Sequence, residues 1–72
     1  MSAKQKNELL VKKIKIFLIE ADYSKDELAK SLGFSYGTLQ NRLHEPDKFS
    51  RWELVELFRI MKLSPEEKAM LM

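Results

Sequence analysis

The sequence predicts one small all-α domain. Its 72 residues suffice for a single domain at most. The composition, with 44% hydrophobic and 33% charged residues, is typical of a folded chain. There are only two glycines and two prolines, and apolar residues recur at spacings of three and four rather than alternating. These observations favour helices throughout, and we take residues 1–72 as one domain.

The first helix is predicted over residues 7–20, after a flexible start at residues 1–6. Leu10, Ile14, Phe17 and Leu18 fall on one face of this segment, while most of its lysines fall outside that face. We therefore expect an amphipathic helix. Lys12, Lys13 and Lys15 are read as a solvated face rather than as a binding surface.

The same pattern, Ser-x-x-Glu, marks the starts of three later helices. It occurs at residues 24–27, 50–53 and 64–67. In a capping box the serine hydroxyl accepts from the amide of the glutamate, whose carboxylate accepts in return from the serine amide. Pro65 adds a residue that is favoured at the first helical position. The pattern predicts helices over residues 24–32, 50–62 and 64–71, with Phe58 in the core and Trp52 in the core or at its rim.

A further helix is predicted over residues 35–44, with Ser35 as its N-cap, which makes five helices in all. Gly33 can take the left-handed conformation that ends the preceding helix. Ala29 is small enough for two helices to cross closely, and residues 44–48 read as a polar loop. The leucines at 28, 32, 39 and 43 supply a shared buried seam, which leaves positions 36, 37, 40 and 41 outside and position 38 at the edge.

Composition excludes several classes of protein. Without cysteine and with His44 as the one histidine, the chain has neither a disulfide scaffold nor a zinc cluster. No glycine-rich phosphate loop or nucleophile–histidine pattern occurs, so we expect no enzyme, cofactor, metal or small-molecule substrate. The longest apolar run, residues 16–19, is far short of a membrane span, and no secretory signal is visible. The chain is expected in the cytoplasm.

The stretch over residues 24–43, SKDELAKSLGFSYGTLQNRL, resembles the helix-turn-helix of the lambda-repressor/Cro-like family of small phage and bacterial regulators. The resemblance rests on Glu27-Leu28-Ala29, on Leu32-Gly33-Phe34-Ser35 and on Thr38-Leu39 through Leu43, and it extends over about residues 9–67. It implies a compact five-helix domain with the helix-turn-helix at residues 24–44. In this family the second helix of the pair enters the major groove of DNA.

The resemblance implies two kinds of DNA contact. Gln40 and Asn41 carry amides that can pair with adenine, and Tyr36, Gly37 and Thr38 are the other expected base contacts. Phosphate contacts are expected from four further residues, Lys25, Ser35, Arg42 and Lys48. Each has a simpler alternative, in which the amides are merely solvated, Tyr36 packs on its neighbours and Gly37 is a tolerated helical glycine.

Two functions are open at this point. The first is a sequence-specific transcriptional regulator of the phage Cro or repressor type, bound to double-stranded DNA at the nucleoid of a bacterial or phage-infected cell. The second is an antirepressor or modulator that uses the same surface to bind a partner repressor protein, and the mild net charge of +2 suits it. A homodimer is a further expected assembly, formed most simply through the apolar C-terminus at Met70–Met72.

Overall fold

A computed structural model describes residues 3–71, which form five α-helices. These are α1 (Ala3–Glu20), α2 (Lys25–Leu32), α3 (Tyr36–His44), α4 (Arg51–Met61) and α5 (Pro65–Leu71). No strand occurs within residues 3–71, so the predicted all-α class is confirmed. None of the five helices is both long and apolar enough to cross a membrane.

Two features differ from the prediction by more than one residue, the start of α1 and the segment between α3 and α4. Helix α1 begins at Ala3, earlier than the predicted start at Asn7, because Ala, Lys and Gln are all strong helix formers. Residues 1 and 2 of the segment predicted to be flexible lie outside the described range. The segment read as a polar loop contains a 3-10 turn over Pro46–Lys48. Proline favours the first position of such a turn because it lacks an amide hydrogen that would go unbonded there.

All three predicted capping boxes are formed. Both halves are present at Ser24 and Glu27, and the Glu27 amide donates to Ser24 Oγ over 3.1 Å. The pair Ser50 and Glu53 repeats the arrangement, with the Ser50 amide donating to Glu53 Oε1 over 2.9 Å. In the third pair the Glu67 amide donates to Ser64 Oγ over 3.2 Å. The starts of α2, α4 and α5 are therefore fixed by local hydrogen bonds.

The ends of three helices share one geometry. Beyond α2, the Phe34 amide donates to the Ala29 carbonyl over 2.8 Å and Gly33 lies between them at a φ of 75°. These bonds are those of a Schellman motif, which requires one residue in the left-handed region. The predicted role of Gly33 is confirmed. Asp22 after α1, at a φ of 52°, and Lys62 after α4, at 54°, adopt the same conformation without being glycine.

The core collects one to three buried side chains from every helix, and Phe49 from the segment between α3 and α4. Its buried members are Leu10, Ile14, Leu28, Ala29, Leu39, Phe49, Leu57, Phe58, Met61 and Leu71. The seam residues Leu32 and Leu43 are half-buried and pack against this cluster. Helix α1 lies along α5, and α2 packs on α3 and α4. Helix α3 contributes Leu39 to the core, with Leu43 packed against it, so its opposite side remains outside the core.

The predicted place of Trp52, in the core or at its rim, is wrong. Phe58 is buried, but Trp52 is 80% exposed. Trp52 precedes Phe58 by an interval that turns it about 120° around the helix axis, away from the buried face. Only residues three, four or seven apart share a helix face closely.

The C-terminal tail is divided between core and surface. Leu71 is buried in the core beside α1, whereas Met70 is 47% exposed. Met72 lies outside the described residues. Within the tail predicted to form a dimer contact, Leu71 instead packs into the core of its own domain.

Candidate nucleic-acid interface

Helices α2 and α3 form a closely packed pair. Their connection is Gly33-Phe34-Ser35, in which the Schellman bonds end α2 and Ser35 begins α3. Ala29 is 2% exposed where the two helices meet, as a small residue at a close crossing should be. Because both the turn and the crossing are fixed, the direction of α3 relative to α2 is fixed as well.

Ser35 is occupied by its capping role. Its Oγ accepts from the Thr38 amide over 3.1 Å and donates to Thr38 Oγ1 over 2.9 Å. Thr38, predicted to contact a base, is therefore tied to the start of its own helix and is half-buried. Ser35, predicted to contact phosphate, donates its hydroxyl proton to Thr38. Ser35 and Thr38 thus lie at the start of α3, as predicted. Their hydroxyl groups, however, are already hydrogen-bonded to each other.

The outer face of α3 carries the remaining predicted base contacts. Tyr36 is 47% exposed, Gly37 and Asn41 are exposed, and Gln40 is half-buried. Within residues 3–71, the side chains of Tyr36, Gln40 and Asn41 make no hydrogen bond and no ion pair. A Cβ added at Gly37 would meet nothing within 4 Å. This face therefore presents unpaired amide groups and a bare stretch of backbone to whatever approaches it.

Arg42 has a different environment from the one predicted. Its Nε donates to Glu53 Oε1 over 3.2 Å, and its guanidinium carbon lies 5.6 Å from the centre of the Phe34 ring. Its side chain is only 24% exposed. The arginine thus joins the α2–α3 turn, α3 and the start of α4. Its first role is to hold these three segments together, and a phosphate contact would have to use its remaining donors.

Glu53 lies at the centre of the contacts that join the α2–α3 turn, α3 and the start of α4. We call this set of contacts the junction. Its carboxylate accepts from the Ser50 amide and from Arg42. Partial burial acts to raise the pKa of Glu53, but the hydrogen bonds from Ser50 and Arg42 and the charge of Arg42 outweigh it, so the pKa lies below its ordinary value of 4.5. Glu53 is therefore ionised at neutral pH and keeps the junction closed.

Two predicted phosphate contacts are available to an anion. Lys25, at the first position of α2, is half-buried and has no ion-pair partner in the described part of the chain. Lys48 pairs with Glu45 at 3.4 Å, but both side chains are more than half exposed. An exposed pair of this kind contributes little and can be exchanged for another anion.

Sequence reasoning missed three features of this surface. The Arg42–Glu53 pair depends on how α3 packs beside α4, which no local pattern reveals. Arg51, exposed next to the cap residue Ser50, is a further cation without an ion pair among the residues described. The outward orientation of Trp52 is the third, and the spacing of the buried residues of α4 could have indicated it.

The side chains described at this surface give little support to catalysis or to metal binding. His44, at the end of α3, is exposed. In the described range, no three His, Cys, Asp or Glu side chains come together in a way that could hold a metal ion. Two carboxylates of the neighbouring helices, Glu27 of α2 and Glu53 of α4, take part in capping boxes.

The chain was compared with protein-family models, with curated proteins and with solved structures, and none of the three comparisons found a match.

Proposed function

We propose that the protein is a sequence-specific DNA-binding regulator of the lambda-repressor/Cro-like helix-turn-helix type, with α2 and α3 as the two helices of that motif. The observation that carries the proposal is the outer face of α3, whose amide side chains at Gln40 and Asn41 have no partner inside the domain. Amide groups of this kind make paired hydrogen bonds to the edge of adenine in the major groove.

The fixed geometry of the α2–α3 pair supports this function. Reading a base edge requires a helix whose position is set before binding, since loose side chains lose entropy on contact. The Schellman turn at Gly33, the cap at Ser35 and the Arg42–Glu53 pair set the position of α3 from three sides. In this proposal Arg42 positions the reading helix first and contacts phosphate second.

Phosphate anchoring falls to the cations that are not committed elsewhere. Lys25 stands at the start of α2, and Lys48 and Arg51 flank the start of α4. Phosphate contacts of this kind fix the register of the protein on DNA without reading its sequence. A site with so few cations predicts modest nonspecific affinity and a shallow dependence on salt.

The direct test is selection from a random pool of double-stranded DNA with the full chain. The proposal predicts enrichment of a short motif, and a mobility shift of that motif that weakens as salt rises. Lys25→Ala should weaken the shift, whereas Lys12→Ala, which removes an exposed lysine on α1, should leave it unchanged. Failure to enrich any motif with protein shown to be folded would overturn the proposal.

The second candidate is a modulator that binds a partner repressor through the same face of α3. The observation that favours it is the engagement of Arg42, the arginine of α3, in an ion pair inside the domain. A protein partner would not require more positive charge there. Binding to a repressor that is lost on Asn41→Ala, together with no enriched DNA, would establish this function instead.

A further inference from the structure

A groove runs along α1, beside the end of α3 and the 3-10 turn that follows it. It encloses about 810 Å³, and its α1 wall extends from Lys4 to Ile19. At a rise of 1.5 Å per residue this wall is about 22 Å long, or roughly four helical turns. Most residues of the wall are exposed, so the groove is open to solvent. An open groove of this length suits a chain segment better than a small molecule, which needs an enclosing pocket. We call it the α1 groove.

Four apolar side chains line the α1 groove. Ile19 is 80% exposed and Ile16 is 42% exposed, while Val11 and Leu43 are half-buried. No large apolar side chain among the described residues is more exposed than Ile19. Burial of such side chains is favourable because it removes apolar surface from water. The groove therefore offers apolar surface that the domain itself leaves uncovered.

The lysines of α1 fall into two groups according to their partners. Lys13 pairs with Glu67 of α5 at 3.0 Å. Lys4, Lys12 and Lys15 line the α1 groove, and they make no hydrogen bond or ion pair within residues 3–71. A lysine can lay its apolar stem on a partner while its ammonium group binds a carboxylate. The three unpaired lysines thus combine positive charge with the apolar lining of the groove.

Most carboxylates of the α1 groove already have partners. Asp47 accepts a hydrogen bond from Asn7 Nδ2 over 2.9 Å, and Glu45 pairs with Lys48. Glu8, exposed on α1, is the lining carboxylate that has no partner in the described part of the chain. Three unpaired lysines against one unpaired carboxylate leave an excess of two positive charges. An acidic partner is attracted by this excess, and a basic one is repelled.

From these observations we propose that the α1 groove binds an amphipathic helix of a partner protein, with apolar residues at spacings of three and four and acidic residues beside them. The apolar stripe of that helix covers Ile16 and Ile19, and its carboxylates pair with Lys12 and Lys15. An extended peptide binds by adding a strand to a sheet edge, and an α-helical wall has no such edge to offer. Nucleic acid would leave the apolar side chains uncovered. The groove is separate from the outer face of α3, so the inference does not depend on the proposed function.

The test is selection from random peptides of about 16 residues displayed on phage, which match the length of the α1 wall. The full chain is the bait, and no DNA is present. The expected result is enrichment of acidic peptides whose apolar residues recur at spacings of three and four. Replacing the acidic residues of an enriched peptide by lysine should weaken its binding by about tenfold or more, as measured by fluorescence anisotropy. Failure to enrich any peptide with folded protein, or enrichment of basic peptides, would overturn the inference.

Variants of the protein locate the binding site. Ile19→Ser should weaken binding of the selected peptide by about tenfold, because it removes an apolar anchor. Trp52→Ser, at a residue of α4 that is also 80% exposed, is the matched control and should leave peptide binding unchanged. Lys12→Glu combined with Lys15→Glu should reverse the preference, so that the lysine-substituted peptide binds more tightly than the acidic one. Lys30→Glu, at an exposed lysine of α2, should preserve the preference for the acidic peptide.

Other occupants of the α1 groove give different results. If the chain self-associates in sedimentation velocity and Ile19→Ser abolishes the association, a second copy covers the groove. If Lys12→Ala weakens the mobility shift of DNA, the groove belongs to the DNA-binding surface. Either result would overturn the inference, as would a selected peptide that binds Ile19→Ser as tightly as the parent. None of these results decides whether α3 reads DNA, which has its own test.

Discussion

Gly37 is the residue at which folding and function make opposite demands. Glycine in a helix costs up to about 1 kcal/mol relative to alanine, because the unfolded chain loses more freedom. Nothing in the domain requires glycine there, since a Cβ would meet no atom within 4 Å and the backbone is ordinary helix. On the proposed function, the missing side chain lets the α3 backbone approach the wall of the major groove.

Gly37→Ala should therefore stabilise the domain by about 0.4–1 kcal/mol and weaken binding to the selected DNA. Thermal unfolding gives the first quantity and a binding titration gives the second. If the variant is more stable and binds DNA as well as the parent does, Gly37 is merely tolerated in the helix.

Glu53 links pH to stability through its lowered pKa. A carboxyl whose folded pKa lies below its unfolded value adds stability above the unfolded pKa, and this stability is lost as pH falls through the folded pKa. The ordinary value is 4.5, so the loss should begin near that pH and continue below it. The pKa of Glu67 is also lowered, by the hydrogen bond from Lys13 and by those from Ser64, so it acts in the same direction.

Glu53→Gln should accordingly remove part of this acid dependence. Glutamine keeps an oxygen for the Ser50 amide but cannot pair with the Arg42 charge, so stability at pH 7 should fall by about 1 kcal/mol. Denaturant unfolding at a series of pH values is the measurement. Glu66→Gln, at an exposed residue without an ion pair in the described chain, serves as control. If Glu53→Gln and the parent lose stability equally as pH falls, the Arg42–Glu53 pair does not contribute to the acid dependence, contrary to this prediction.

At the scale of the elements, the bounds of a helix are set by the hydrogen bonds and backbone conformation at its two ends. The starts could be predicted because a capping box is a local pattern, in which Ser24 and Glu27 need no other part of the chain. The predicted ends at residues 20, 32, 44 and 71 agree with the structure, but only the end of α2 is marked by a glycine. Asp22 and Lys62 adopt the same left-handed conformation, but their side chains do not favour it enough to be recognised in sequence.

Gly33→Ala tests the turn between α2 and α3. Because an added Cβ would clash with nothing, the cost should come from the positive φ alone and reach about 1 kcal/mol. Lys62→Gly is the reciprocal variant, since it places glycine at a φ of 54° and should stabilise the end of α4. Chemical denaturation measures both. A Gly33→Ala protein as stable as the parent would show that the turn tolerates any residue.

At the scale of the whole molecule, the contacts between helices are harder to predict from the sequence than the helices themselves. The helical spacing correctly placed Leu10, Ile14 and Phe58 in the core, because burial repeats with the helix period. The ion pairs that join distant segments, Arg42 with Glu53 and Lys13 with Glu67, depend on packing between helices and have no periodic signal. The candidate site was predictable as the outer face of α3, but the engagement of Arg42 was not.

Leu71 should anchor the C-terminus to the whole fold. It is 4% exposed, while its neighbour Met70 is 47% exposed. Leu71→Ala should cost about 2 kcal/mol, at the lower end for a buried leucine because the site lies near the chain end. Met70→Ala should cost little. Thermal unfolding of both variants is the check, and equal melting temperatures would show that Leu71 adds nothing to the core.

The most direct test of the central claim, that α3 reads DNA, compares Asn41→Ala with Lys25→Ala on the selected DNA motif and on scrambled DNA. Asn41→Ala should cost about 1–3 kcal/mol on the motif and relax its sequence preference at one position. Lys25→Ala should weaken both DNAs about equally and reduce the salt dependence by about one phosphate contact. Gln40→Ala should follow Asn41→Ala if its amide reaches a base. If Asn41→Ala instead weakens both DNAs equally, or leaves both unchanged, α3 does not read DNA sequence through this residue and the claim is contradicted.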